Sequence, residues 1–451
     1  MSYESLSGDM TMALTGEALI TRALSPFREA GFLSLVKQLR EADVSFTNAE
    51  MLFHDYEGSP GVEHGGTWMR AEPRMIGELK WAGIDIAATA MNHAYDFGET
   101  GVLVNIANLK AHGMPYAGTG ENLALATAPG YLDTPKGRVA LIAACDHLQV
   151  PGGKAVDQRP DMKGKPGVNF IGVDVVYTVD RAAFAEMKRI SQALGLEHAK
   201  QGRRHGRFPQ HRHLDTETRY HFVPVRAAEE PCTFQLGDTF GISTACKADD
   251  LERNLTWVQD ARRMSDWVLF SFHCGYHGAT ADEPADHLKE LAHAVIDAGA
   301  DVFIGHGPHR DKGIEIYQGK PIFYSLGDFI LQNDTVLRQP ADAYTRYQLG
   351  FKHTPADFYD ARSGGQTRGQ DVDIRNWQSV IAMPRWKARH LREIELHPID
   401  LGMGLPMGQR GRPMAATDEV AQEILERFQH MSKPFDTVIE VVDGKGVIKV
   451  R

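Results

Sequence analysis

Along much of this chain, short apolar runs that close on a polar residue alternate with stretches of helical periodicity, and few folds accommodate that rhythm. "TMALTGEALI" reads as a strand running into a loop, "FLSLVKQLREA" carries apolar residues at helical spacing, and "DVSFTNAEM" is strand-like again. "PRMIGELKWAG" and "GVLVNIANLKAHG" read as helices on either side of the strand and loop "DIAATAMNHAYDFG". The alternation weakens after Val150 and returns in "LERNLTWVQDARRMS", "DWVLFSFHCGYHG", "ADHLKELAHAVIDAG" and "ADVFIGHGPH". Such alternation predicts an α/β fold in which crossover helices join parallel strands.

Other segments read differently. Residues 151–230 hold a Gly/Pro/Lys segment, a helix from Val179 to Leu196, and the basic, histidine-rich stretch "KQGRRHGRFPQHRHLDTETRYHF". Its arginines would repel a cation, so a loop, solvated or covering a substrate, is expected rather than a metal tract. "GIEIYQGKPIFYSLGDFIL" and "TVIEVVDGKGVIKV" read as hairpins turning at Gln318-Gly319 and Asp443-Gly444, because glycine supplies positive φ. Residues 340–385 read as irregular. The expected division is one domain over 1–400 with an irregular insertion near 150–240. A C-terminal extension over 401–451, ending in a hairpin, packs on the same domain.

The formal net charge of −10 over 451 residues argues against nucleic acid as a partner. Cys145, Cys232, Cys246 and Cys274 form no C-x-x-C pair and are expected as buried free thiols. The opening "MSYESLSGDMTMALTGEALI" has no basic region before its apolar run, and no apolar run reaches the length of a membrane span. A cytoplasmic protein without membrane partners is expected.

The strand ends carry the chemistry. Five strand-like runs close on possible metal ligands: Glu17, Glu50, Asn92 with His93, His273, and His306 with His309. In an open α/β sheet, sites form beyond the carboxyl ends of the strands, so residues far apart in sequence can meet there. Carboxylates, an amide oxygen and imidazoles make a mixed N/O set suited to Mn²⁺, Fe²⁺ or Zn²⁺. Singly, each residue has an ordinary alternative as a turn, cap or backbone-bonded side chain.

Together, "LTGEALITRAL", "ADVSFTNAE", "GIDIAATAMNHAYDFG", "VLFSFHCG" and "GADVFIGHGPH…GIEIYQGKPIFYSLGDF" give a sequence that resembles the CapA family, of the poly-γ-glutamate capsule-synthesis type. That family lies within the calcineurin-like metallophosphatase superfamily. The resemblance implies a two-sheet α/β sandwich with helices on its outer faces. It implies metal ligation by Glu17, Glu50, Asn92, His273, His306 and His309, with Glu50 bridging. His93 matches the superfamily histidine that stabilises charge or protonates a leaving group. Glu17 stands where the family usually has Asp, and Leu19 stands where the superfamily has a metal-binding His. Four ligands remain for one ion (Glu50, Asn92, His273, His306) and three for another (Glu17, Glu50, His309). One well-held ion and a second that is weak or absent are therefore expected.

A divalent cation with an open position acidifies bound water and polarises a carbonyl or phosphoryl group. Glu17, His93 and Asp96 are the expected catalytic side chains. Asp96 either orients His93 or caps a helix start. The loop "HDYEGSPGVEHGGTWMRAEP" offers Thr67, Trp68 and Arg70 as substrate contacts, with His277, His54 and Asp328 as further loop candidates. The leading expectation is a metal-dependent hydrolase of a peptide-like or γ-glutamyl amide. The alternatives are a phosphoesterase, a peptide Cα epimerase (an activity associated with one branch of the family) and a non-catalytic capsule-biosynthesis accessory. A small-molecule or peptide substrate is the expected partner.

Overall fold

The structure, a computed structural model, describes residues 8–204, 215–223 and 231–450. Of the histidine-rich stretch expected as a loop, 205–214 lie outside the described residues. In chain order the elements that build the site are β1 (Met10–Leu19), α1 (Ala30–Glu41), β2 (Val44–Asn48), α2 (Arg74–Ala82), β3 (Ile86–Ala88), α3 (Gly98–Ala111) and β4 (Tyr116–Ala117). Next come β5 (Gly130–Thr134), β6 (Gly137–Cys145), α4 (Ala248–Met264), β7 (Trp267–His273), α5 (Asp286–Ala298), β8 (Val302–His306), β9 (Ile314–Tyr317), β10 (Lys320–Phe323) and β11 (Asp328–Leu331). The last are β12 (Gln378–Lys387), β13 (His390–Asp400), α6 (Asp418–Ser432), β14 (Glu440–Val442) and β15 (Lys445–Lys449).

Two sheets result. The larger runs β14-β15-β13-β12-β1-β2-β3-β4, with β11 also paired to β1; the smaller runs β9-β10-β8-β7-β6-β5. β1 pairs parallel with β2 and β11, and β7 pairs parallel with both β6 and β8. β7 is buried along its whole length, as expected for a parallel strand covered on both faces. Its side chains alternate: Trp267 and Leu269 join a core shared with Leu14, Phe46 and Ala87 of the larger sheet, while Phe270 stacks on Phe303 on the opposite face. One core thus joins the two sheets. Helices α1, α2 and α6 place Phe32, Leu35, Met75, Leu79, Ile424 and Phe428 in it at helical spacing.

Both expected hairpins are present. Gln318 and Gly319 turn between Tyr317 and Lys320, and Asp443 and Gly444 turn between Val442 and Lys445, all four with positive φ. The C-terminal hairpin extends the larger sheet through β15 on β13. Residues 340–385 are more regular than expected. They hold a helix, Pro355–Ser363, started by a Thr354/Asp357 capping box, and most of β12, the antiparallel neighbour of β1. Cys145, Cys246 and Cys274 are buried, but Cys232 is exposed.

Gly172–Lys247 with Ala285–Glu290 form a second compact unit. Instead of an irregular insertion it contains a four-stranded sheet (Arg219–Phe222, Cys232–Leu236, Val173–Val179 and Gly241–Cys246, in that order) around Val179, Phe184 and Tyr220. One of its helices, Arg181–Ala193, starts where the Asp180 side chain accepts from Ala183 N. Among the described residues no helix is long and apolar enough to cross a membrane.

The strand ends are held close by missing side chains. A Cβ on Gly16, in β1, would collide with the Gly327 carbonyl. Gly307, with φ +114°, would drive one into Cys274 O. Gly16→Ala should therefore cost about 1–3 kcal/mol of stability, as overpacking does. Urea denaturation checks this, and an unchanged midpoint would mean the strands do not meet there.

Candidate metal centre

The register of the parallel strands brings their last residues side by side. Glu17 is level with Asn48 and Asp328 in the larger sheet, and His273 with His306 in the smaller. Glu17, 1% exposed, joins the two sheets. Its Oε1 accepts from Gly307 N and lies 3.2 Å from His273 Nδ1; its Oε2 lies 2.7 Å from His309 Nδ1. Burial alone would raise the Glu17 pKa, but the charges of His309 and His273 hold it well below the usual carboxylate range.

His309 sits at φ +54° on the turn after β8. Its Nδ1 also faces Asp328 Oδ1 at 2.9 Å and Glu50 Oε2 at 3.8 Å. Burial opposes its charge, yet these carboxylates together lift its pKa well above the ordinary histidine value. Glu50, just beyond β2, is fully buried, and neither carboxylate oxygen has a hydrogen-bond partner. Burial, reinforced by the Glu17 charge, pushes its pKa well above the ordinary value. Both ring nitrogens of His306 are likewise buried without partners, and burial drives its pKa down to about 3. Asp328 is held up at about 7 by burial, against the pull of His309.

The unpartnered atoms share a chemistry. Glu50 Oε1 and Oε2, Asn48 Oδ1, Asn92 Oδ1, His273 Nε2, Asp328 Oδ2 and the His306 ring supply buried lone pairs at or just beyond the ends of strands. Buried polar atoms are ordinarily satisfied, so a concentration of unmatched acceptors suits a cation. Glu17, His309 and Asp328 already offer ligand atoms that all lie within 4.8 Å of one another. The donor set therefore fits a divalent ion.

Beside it, His93 Nδ1 meets Asp96 Oδ2 at 2.6 Å, and His93 Nε2 lies 4.0 Å from Glu50 Oε1. The same Asp96 oxygen accepts from Met69 N at 2.7 Å. Asp96 thus orients His93 rather than capping a helix; the following helix, α3, begins at Phe97 with no side-chain cap bond. Burial would raise the Asp96 pKa, but His93 and His64 hold it below the ordinary value.

Three expected substrate contacts are corrected. Trp68 is wholly buried, stacked on His64 at 3.9 Å. Thr67 is buried and accepts from Arg362 at 2.7 Å. Arg70, 4% exposed, donates to His54 O and Asp55 and lies over the Tyr56 ring, so its guanidinium is already partnered. Contacts within the protein occupy all three. His277 is exposed, and its Nδ1 lies 2.8 Å from the Gly278 carbonyl. His54 is buried against Phe97, and Leu19 lies in the core.

Asn48 and His64 have no role in the sequence-based expectation, and Asp328 is only a loop candidate there. Asn48 Nδ2 lies 3.3 Å from His273 Nδ1. It and Asp328 were visible as polar residues flanking strands in "FTNAE" and "SLGDF"; His64, in a glycine-rich loop, carried no periodic signal.

A family model described as bacterial capsule synthesis protein PGA_cap matches residues 5–333. Two uncharacterized proteins of Sinorhizobium fredii (strain NBRC 101917 / NGR234), y4uA and y4sH, are each 34% identical over 452 residues, covering 98% of this chain and 93% of theirs. The PGA biosynthesis protein CapA of Bacillus subtilis (strain 168) is 35% identical over 118 residues, 25% of this chain and 30% of that protein.

A buried carboxylate with no partner destabilises the fold that holds it. Glu50→Gln should therefore raise the stability of metal-free protein by about 1–3 kcal/mol. Added Mn²⁺ should reverse the ranking by stabilising only the parent. A lower urea midpoint for metal-free Glu50→Gln would show that the carboxylate is satisfied as it stands.

Proposed function

This chain belongs to the bacterial capsule synthesis protein PGA_cap family, and from that premise we propose a metal-dependent hydrolase acting on an amide-linked, glutamyl-type polymer or peptide. The cluster of buried, unpartnered lone pairs around Glu50 and His306 carries the proposal, because it is costly to a fold and useful to a cation. The substrate class is supported by the PGA biosynthesis name of the Bacillus subtilis relative.

Glu50, Asn92, His273 and His306 would hold one ion; Glu17, His309 and Asp328 surround a second position, with Glu50 at its edge. A bound divalent cation would supply Lewis acidity and a more acidic water. The chain supplies the proton. With Nδ1 committed to Asp96, His93 presents Nε2 on the Glu50 side, where it can hold a proton and pass it to a departing amine. Buried Asp96 keeps the His93 ring oriented through the Nδ1 contact.

Asp328 favours a second reading, phosphoester hydrolysis. Leu19 removes one ligand from the Glu17 position, but Asp328 returns a carboxylate to it, and a pair of ions is the usual clamp for a phosphoryl group. Poly-γ-glutamate, γ-glutamyl peptides and simple phosphoesters, assayed with added Mn²⁺, separate the two. We expect amide turnover that falls roughly 10²–10⁴-fold in His93→Ala, the usual worth of a positioned proton donor. Turnover of phosphoesters alone would support the second reading. No turnover of any substrate by ion-loaded protein would contradict both.

A further inference from the structure

Asp96 has a second imidazole beside it. His64 lies on the loop between β2 and α2, its side chain 4% exposed, with Nε2 3.5 Å from Asp96 Oδ1. Its ring lies flat on Trp68, with centroids 3.9 Å apart, and meets the His93 ring edge-on at 5.8 Å. Trp68 is itself fixed: its backbone N–H donates to Gln339 Oε1 at 2.9 Å and its carbonyl accepts from Gln339 Nε2 at 3.2 Å. The His64 ring therefore has little freedom to turn.

Two chemistries fit such a group. The ligand atoms of His64, His93 and Asp96 all lie within 4.8 Å of one another, close enough for a cation. The hydrogen bonding decides against it. Gly66 N–H donates to His64 Nδ1 at 3.2 Å, so Nδ1 uses its lone pair and the proton of the neutral ring sits on Nε2. A cation would need the Nε2 lone pair, whereas a carboxylate needs the Nε2 proton. Asp96 faces it.

We propose that His64 is a positioning residue: its Nε2–H serves Asp96 Oδ1, which it faces at 3.5 Å, while Met69 N–H and His93 Nδ1–H hold Oδ2. Two donors hold Oδ2; His64 Nε2 and Asp96 Oδ1, both buried and with no other hydrogen-bond partner, face each other across 3.5 Å, and closing that gap would stop the carboxylate from exchanging its oxygens. That fixes His93 as the tautomer protonated on Nδ1, with Nε2 free on the Glu50 side. Without His64, Asp96 Oδ1 faces no donor, and the tautomer of His93 is no longer enforced. The catalytic consequence rests on the hydrolase proposed above; the tautomer does not.

The test uses full-length protein labelled with ¹⁵N-histidine and two substitutions. His64→Phe keeps an aromatic ring on Trp68 and removes both nitrogens; His64→Gln returns an amide N–H near the place of Nε2. Ring ¹⁵N shifts, with His93 assigned by the signal lost in His93→Gln, report the tautomers directly. Expected are Nδ1–H on His93 in the parent and in His64→Gln, and mixed tautomers in His64→Phe. Where a substrate is turned over, His64→Phe should lose about ten- to hundredfold in turnover, as when a partner that orients a site imidazole is removed, with His64→Gln largely restored. His64→Phe keeping the Nδ1–H form of His93 would overturn the proposal and leave His64 a packing residue. Should neither variant fold, the parent spectrum decides: Nδ1–H on His64, or a His64 ring shifted by added Zn²⁺, would overturn it. Absence of any turnover sinks the hydrolase but leaves this readout intact.

Discussion

The Glu17 carboxylate is the tie on which the site depends. It ends a strand of the larger sheet and receives Gly307 N–H, His273 and His309 from the smaller one. A fully buried charge of this kind persists only where donors surround it, and leaving such a group unpaired costs several kcal/mol. Glycine at positions 16 and 307 lets the backbones close enough for those donors to reach. The sandwich and the site are therefore one arrangement: the sheets are joined where the candidate ligands gather.

Around that satisfied carboxylate lie groups that are not satisfied. Glu50 has neither oxygen bonded and His306 neither nitrogen, although both are buried. Charge on Glu17 opposes charge on Glu50 and Asp328, and among the described residues only His309 is paired with all three. A sequence selected for stability alone would place apolar or paired side chains there. Unmatched carboxylate and imidazole lone pairs gathered where the strands end are what a cation site asks of a fold.

The legible parts of the sequence were those where one local rule dominates. Fully apolar parallel strands such as β7, and turns at Gln318-Gly319 and Asp443-Gly444, follow from burial and from positive φ at glycine. The strand pair β12–β13 was not legible. Its turn uses Ala388 and Arg389, both at positive φ without glycine or asparagine, and Pro384 lies within β12, so the usual marks of a hairpin are absent. The candidate ligand residues could be read because each closes an apolar run. The substrate contacts could not, because loop composition does not say which way a side chain faces. Trp68, Thr67 and Arg70 face inward, and Trp68 turned out to support His64.

The central claim is that the unmatched lone pairs hold a cation. Elemental analysis of protein purified without added metal, and again after Mn²⁺ loading and desalting, tests it against Glu50→Ala and His306→Ala. The account predicts at least one divalent ion per chain in the parent and a loss of that ion from both variants. A parent that retains no ion after loading, or variants that retain as much as the parent, would contradict it.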